Sequence, residues 1–217
     1  MSNTKIPTEE LDIFLRLNDL KVVFDVGARD DLDMFELKPE LEYHLFEPVP
    51  EFCETLRLKA NGAKNIFINQ FGLADRVGEY EYNEYRQSFL YVTETDKRYV
   101  TNTLDWYTEV MNVQPDFIKI DTEGLDLNVI IGGQKTIQKT RFVQFEYWNG
   151  FYDFLPYLKG FEFYLMIEPE LRKEIKKVAQ NKEFDGSLIK INNEIVRLIY
   201  QYLIPAGAGG NILCVHS

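Results

Sequence analysis

The chain has 217 residues, 45% hydrophobic and 27% charged, which suits one sizeable α/β domain that folds without a disulfide or metal staple. Its 24 Lys and Arg against 35 Asp and Glu give a formal charge of −11, which argues against a nucleic-acid partner or an anionic membrane surface, because neutralising phosphate needs a basic face. Cys53 and Cys214 fall in helical and strand patterns and read as small buried thiols of a reducing compartment. A polar, acidic start and no apolar run near ~20 residues point to a cytoplasmic protein without a membrane span.

No repeat, low-complexity tract or linker divides the sequence, so residues 1–217 read as one domain, with 1–20 as an N-terminal helical extension. Residues 8–19 pattern as an amphipathic helix with Leu11, Phe14 and Leu15 on one side. Lys21–Asp25 predicts a strand that leaves through Val26-Gly27-Ala28, and a brief helix over 31–37 ends before Pro39. Tyr43–Phe46 is the second strand, and Pro50–Ala60 a helix with Pro in its first turn and Gly62 past its end. Asn65–Ala74 is expected as one strand, followed by a turn at Asp75–Gly78 and an alternating strand over Glu79–Tyr85. Next come a helix at 103–112, a strand at Asp116–Asp121, a helix from Glu123 to Ile137, a strand at Phe142–Tyr147 and a helix or loop over 150–159. Phe161–Ile167 is a strand, 168–182 and 193–204 are helices, and Asn211–His216 closes the chain as a strand. This alternation predicts a mostly parallel sheet with helices on both faces, whose ligands bind beyond the carboxyl ends of the strands.

The residues just after each strand are therefore the informative ones. Asp25 and Gly27 leave the first strand: the acid can accept from a ligand amine and the glycine admits close backbone approach, although an ordinary tight turn has the same composition. The dinucleotide fingerprint is missing, since Arg29 and Leu32 stand where its later glycines belong, and this disfavours a nicotinamide oxidoreductase. Glu47 ends the second strand, where a carboxylate can take both ribose hydroxyls of a nucleoside. Asp121 and Glu123 follow a central strand. Acids there stabilise a helix start by ~0.3–1 kcal/mol, and the same place suits a general base or a metal ligand. Glu146 ends the next strand and converges with them if the two strands are neighbours. His44 points to the other sheet face and reads as packed or solvated, and His216 as frayed. Tyr147, Trp148, Phe151, Tyr152 and Tyr157 read as core and rim before they read as a sugar platform, and Arg172–Lys177 as a solvated helix face.

Taken together, Phe24-Asp25-Val26-Gly27-Ala28, Phe46-Glu47-Pro48, Gly72-Leu73-Ala74-Asp75, Thr103-Leu104-Asp105, the run Phe117 to Gly124 and Gln144-Phe145-Glu146 resemble the FkbM family of S-adenosylmethionine (SAM)-dependent methyltransferases, over about residues 21–147 with an echo at Asn211-Ile212-Leu213. The resemblance implies a Rossmann-like class I methyltransferase: α/β, a seven-stranded mostly parallel sheet with an antiparallel last strand. It also implies SAM as methyl donor and an oxygen acceptor on a sugar, glycan or related small molecule. By position, Asp25, Gly27 and Ala28 would cradle the methionine part, Glu47 would hold the ribose and Leu73 and Ala74 would flank the adenine, with Arg29, Pro48 and Asp121 completing the cofactor-binding set. Asp121, Glu146 and Glu123 are the catalytic candidates, and the same three are the ligands of a divalent metal if one is used. The sequence departs from the family at Arg29-Asp30-Asp31, where an Asn and a second Gly are usual. Asp31 supports the competing reading of a catalytically weak or inactive binding or regulatory protein on a methyltransferase fold.

Overall fold

The computed structural model describes residues 9–83, 97–147, 151–166, 188–192, 196 and 210–216. The helix expected over 168–182, that over 193–204 apart from Val196, the Arg172–Lys177 run, Tyr85 and Trp148 lie outside the described residues.

The chain runs α1 (Glu9–Arg16), β1 (Val22–Val26), α2 (Asp33–Leu37), β2 (Glu42–Phe46), α3 (Pro50–Ala60), β3 (Ile66–Asn69), β4 (Gly72–Leu73), β5 (Gly78–Tyr82) and β6 (Lys97–Asn102). It continues with α4 (Leu104–Met111), β7 (Phe117–Ile120), α5 (Asp126–Gly132), α6 (Gln134–Ile137), β8 (Phe142–Tyr147), α7 (Phe151–Phe154) with a 3₁₀ turn at Leu155–Tyr157, β9 (Phe161–Met166), β10 (Leu188–Lys190) and β11 (Gly210–His216).

Among the described residues, eight strands form one sheet in the order β10-β9-β11-β8-β7-β1-β2-β3. The run β8-β7-β1-β2-β3 is parallel, and β11 lies antiparallel between β8 and β9. This is the expected α/β sheet with its antiparallel closing strand, and the three-residue β10 adds an eighth at the edge.

Three local expectations are corrected. Asn65–Ala74 is two strands: the chain leaves the main sheet after Asn69, and Gly72–Leu73 joins a separate sheet in the order β4-β6-β5. The partner strand β6 was not foreseen. It opens on Lys97 and Arg98, and it alternates with only Tyr99 and Thr101 buried. The helix expected from Glu123 to Ile137 starts at Asp126 and breaks at Gly133. Glu123 and Gly124 have φ of 53° and 125°, a left-handed turn that no helix accommodates. At the break, a Cβ on Gly132 would lie 2.0 Å from the Ala74 carbonyl oxygen, so the small sheet's connection passes against bare backbone.

Strand alternation builds the core on both faces. Phe24, Ile118, Ile120, Val143 and Phe145 face α4, α5 and α6, whereas Val23, Tyr43, Leu45, Phe117 and Leu213 face α1, α2 and α3. Thr103 caps α4 by accepting from Trp106 N–H, and Asp105 ties α4 to α6 by accepting from Lys135 and Thr136 N–H groups. No helix among the described residues is long and apolar enough to cross a membrane.

Candidate active site

A cleft of about 290 Å³ opens at the carboxyl ends of β1, β2 and β7. At its centre the turn after β1 is forced by sterics. Gly27 has φ +88°, its N–H donates to Phe46 O over 2.9 Å, and a Cβ there would lie 1.9 Å from Asp121 O. Asp25 is buried just before this turn. Its Oδ1 has no hydrogen-bond partner, and its nearest cation is Lys119 Nζ at 3.9 Å. Burial pushes its carboxyl up to about 7, and Lys119 only partly offsets this.

Arg29 adopts the left-handed conformation itself, with φ 53°. Its N–H donates to Glu47 Oε2 over 2.9 Å, while Val49 N–H donates to Glu47 Oε1 over 2.8 Å. Glu47 is thus gripped by backbone at both oxygens. Burial still raises it to about 7 against the pull of those two N–H groups. The Arg29 guanidinium sits 5.5 Å over the Phe52 ring, and Cys53 beneath donates its thiol to Glu47 O over 3.0 Å. Asp31 lines the cleft and accepts from Asp33 N–H over 3.2 Å.

Of the residues singled out in the sequence, Asp25, Gly27, Ala28, Arg29, Glu47, Pro48, Leu73, Asp121 and Glu123 line this one cleft. Ala74 does not: it is fully buried beneath the cleft, its N–H donating to Asn102 O. Glu146 is half-buried opposite Asn211 and is not among the residues lining the cleft. The expected metal set is therefore not assembled. Among the described residues no three His, Cys, Asp or Glu side chains are arranged to hold a metal ion, and Asp121 is engaged by an ammonium instead. Lys119 Nζ donates to Asp121 Oδ2 over 3.0 Å. Burial opposes the Lys119 charge, but Asp25, Asp121 and Glu10 outweigh it and raise its pKa. Glu123, at the rim, is raised by partial burial and by the charge of Asp121.

Lys119, Gln144 and Glu10 also line the cleft and were missed. For the first two the signal was the period of two: Lys119 shares a strand face with Asp121, and Gln144 with Glu146. Glu10 depends on where α1 docks, which no local pattern states.

Of the packed and solvated readings of His44, the packed one holds. The ring lies buried between Tyr107 Oη at 2.7 Å and Glu42 Oε1 at 2.9 Å, and burial lowers its pKa. His216 meets Phe161 edge-on, away from the cleft. Tyr147 is buried, Phe154 stacks on Phe145 at 4.3 Å and Tyr152 is exposed.

A sheet of this order, with glycine at the first turn and acids after β1 and β2, defines the class I methyltransferase version of the Rossmann-like fold. Solved methyltransferase structures share it. Sp1610 of Streptococcus pneumoniae in complex with S-adenosyl-L-methionine matches 98% of this chain and 74% of its own with a TM-score of 0.52 at 11% identity. An rRNA methylase from Streptococcus thermophilus matches 99% of both chains with a TM-score of 0.51, also at 11% identity. The model of the methyltransferase FkbM domain matches residues 25–172, and the chain belongs to this family of SAM-dependent methyltransferases. The 2-O-methyltransferase NoeI of Sinorhizobium fredii is 24% identical over 172 residues, covering 65% of this chain and 71% of NoeI. A structure of FkbM methyltransferase from Methylobacillus flagellatus is 18% identical over 59% of this chain. That alignment spans only 32% of the Methylobacillus protein, with a TM-score of 0.43.

Proposed function

We propose that the protein transfers the methyl group of SAM to a hydroxyl of a sugar, glycan or related small molecule. The observation that carries the proposal is Asp25 Oδ1, a buried carboxylate oxygen without a hydrogen bond in the same cleft as Glu47. Such an orphan acceptor costs free energy unless a donor arrives, and the ammonium of SAM is a fitting donor. The bare backbone at Gly27 leaves room for close approach, and Glu47 keeps free lone pairs for ribose hydroxyls. The name of NoeI, a 2-O-methyltransferase, supports an oxygen acceptor.

When bound, SAM supplies a methyl group already activated on a sulfonium. The chain must then align the acceptor oxygen and remove its proton. Asp121, neutralised by Lys119, is suited to orienting the hydroxyl. Partial burial and the charge of Asp121 raise the pKa of Glu123, which suits it to take the hydroxyl proton. Glu146 would need to reach the acceptor from outside the cleft lining. The carboxylates Asp31, Asp121 and Glu123 in the lining, with a net charge of −11, favour a neutral or cationic acceptor over a phosphorylated one.

Calorimetric titration with SAM, followed by an acceptor screen of neutral polyols, tests this. Micromolar binding lost in Glu47→Ala, and methylation of a polyol, are the expected results. No binding of SAM by the wild type would overturn the assignment.

A further inference from the structure

Asp25, Lys119 and Gln144 are register neighbours on β1, β7 and β8, so a carboxylate, an ammonium and a primary amide stand side by side on the sheet face under α1. The row is incomplete at both ends. Asp25 is 6% exposed and Gln144 2%, yet Asp25 Oδ1 and Gln144 Nε2 have no hydrogen-bond partner. The missing ligand therefore carries donors at Asp25 and an acceptor at Gln144. Lys119, standing between them, favours an anionic acceptor. The ends of the row lie two strand spacings apart, roughly 10 Å. An ammonium and a carboxylate on one carbon span that distance with a hydrogen bond of about 2.9 Å at either end.

One group already leans on the row. Glu10, in the first turn of α1, lines the cleft, and both Lys119 and Gln144 favour its ionised form although burial raises its pKa overall. Glu10 thus presents a carboxylate where the ligand's carboxylate belongs.

We propose that Lys119 and Gln144 seat the carboxylate of the SAM amino-acid group opposite Asp25, and that Glu10 is an internal stand-in for that carboxylate which the cofactor must displace. This rests on the SAM reading above and adds a competitor to it. Two carboxylates cannot share one ammonium and one amide in a buried site without repulsion. Ile13 and Phe14 pin α1 to the core, so the Glu10 side chain or the first turn moves rather than the whole helix.

The test compares SAM with 5′-methylthioadenosine, which lacks the amino-acid group, by calorimetry on wild type, Glu10→Gln, Glu10→Ala and Gln144→Leu. Removing the Glu10 charge should tighten SAM roughly fivefold or more, the low end of ordinary site-to-site couplings, and leave methylthioadenosine unchanged. Gln144→Leu should weaken SAM alone. Equal changes for the two ligands, no change, or weaker SAM binding in Glu10→Ala would overturn the stand-in role. If wild type binds neither ligand, the SAM reading fails and this inference falls with it. If wild type binds both and the Glu10 variants match it, only the inference fails.

Discussion

The backbone N–H of Arg29 donates to Glu47 Oε2 over 2.9 Å, so the turn after β1 and the acid after β2 are one unit. Glu47→Ala removes that acceptor and the one for Val49 N–H. Unfolding in urea should show a loss of about 1–3 kcal/mol, the usual cost of leaving buried donors unpaired. SAM affinity should fall at least about tenfold, which corresponds to the ~1.4 kcal/mol of one good polar contact. Unchanged SAM affinity in a folded variant would remove Glu47 from the cofactor site.

Arg29 pays for its φ of 53° with backbone strain and recovers part through its contact with Phe52 at 5.5 Å. Arg29→Gly relieves ~1–2 kcal/mol of left-handed strain and forfeits ~0.5–1 kcal/mol of cation–π attraction, so stability should rise slightly or stay level. Arg29→Val, β-branched at the same φ, should cost about 1–3 kcal/mol. Denaturation midpoints of the two variants decide this. If Val is tolerated as well as Gly, the turn does not need its left-handed residue.

Much of this arrangement was legible because strand ends announce themselves. Asp25, Gly27 and Glu47 follow apolar runs, and the sheet order then brings them together. The Arg29-Asp30-Asp31 departure looked disabling in sequence. In the structure Arg29, where the Asn is usual, takes a left-handed conformation, and the turn still reaches Glu47. What the sequence hid was long-range. Strand β6 begins with charge and is defined by its partners β4 and β5, not by its own hydropathy. The break at Gly133 depends on the Ala74 carbonyl passing Gly132. Lys119 reads as a polar interruption of a strand until the pairing sets it between Asp25 and Gln144.

Burial raises both Asp25 and Glu47 to about 7. Their native-state pKa values lie above the unfolded ones, so the contribution of these groups to stability is full below the unfolded carboxyl range of about 4. It declines as pH rises through about 7. SAM binding runs the other way, because an ammonium and ribose hydroxyls need ionised acceptors. Affinity should therefore strengthen as pH rises through about 7, with proton release on binding. Calorimetry in buffers of different ionisation enthalpy measures that release. A flat affinity profile across this range would mean both groups are already ionised in the free protein.

Asp121 and Glu123 separate into two roles by their neighbours. Lys119 donates to Asp121 Oδ2 over 3.0 Å, whereas partial burial and the Asp121 charge raise the pKa of Glu123. Glu123→Gln should lower kcat by roughly 10²-fold, the low end for losing a general base, because proton loss from an alcohol comes late in methyl transfer. SAM affinity should be untouched by that change. Asp121→Asn should act differently: it deprives buried Lys119 of its closest partner, so stability and SAM affinity fall together with turnover. Steady-state kinetics beside calorimetry distinguishes the two patterns. Full activity in both variants would remove these carboxylates from the chemistry and leave Glu146, reaching in from the cleft edge, as the remaining candidate.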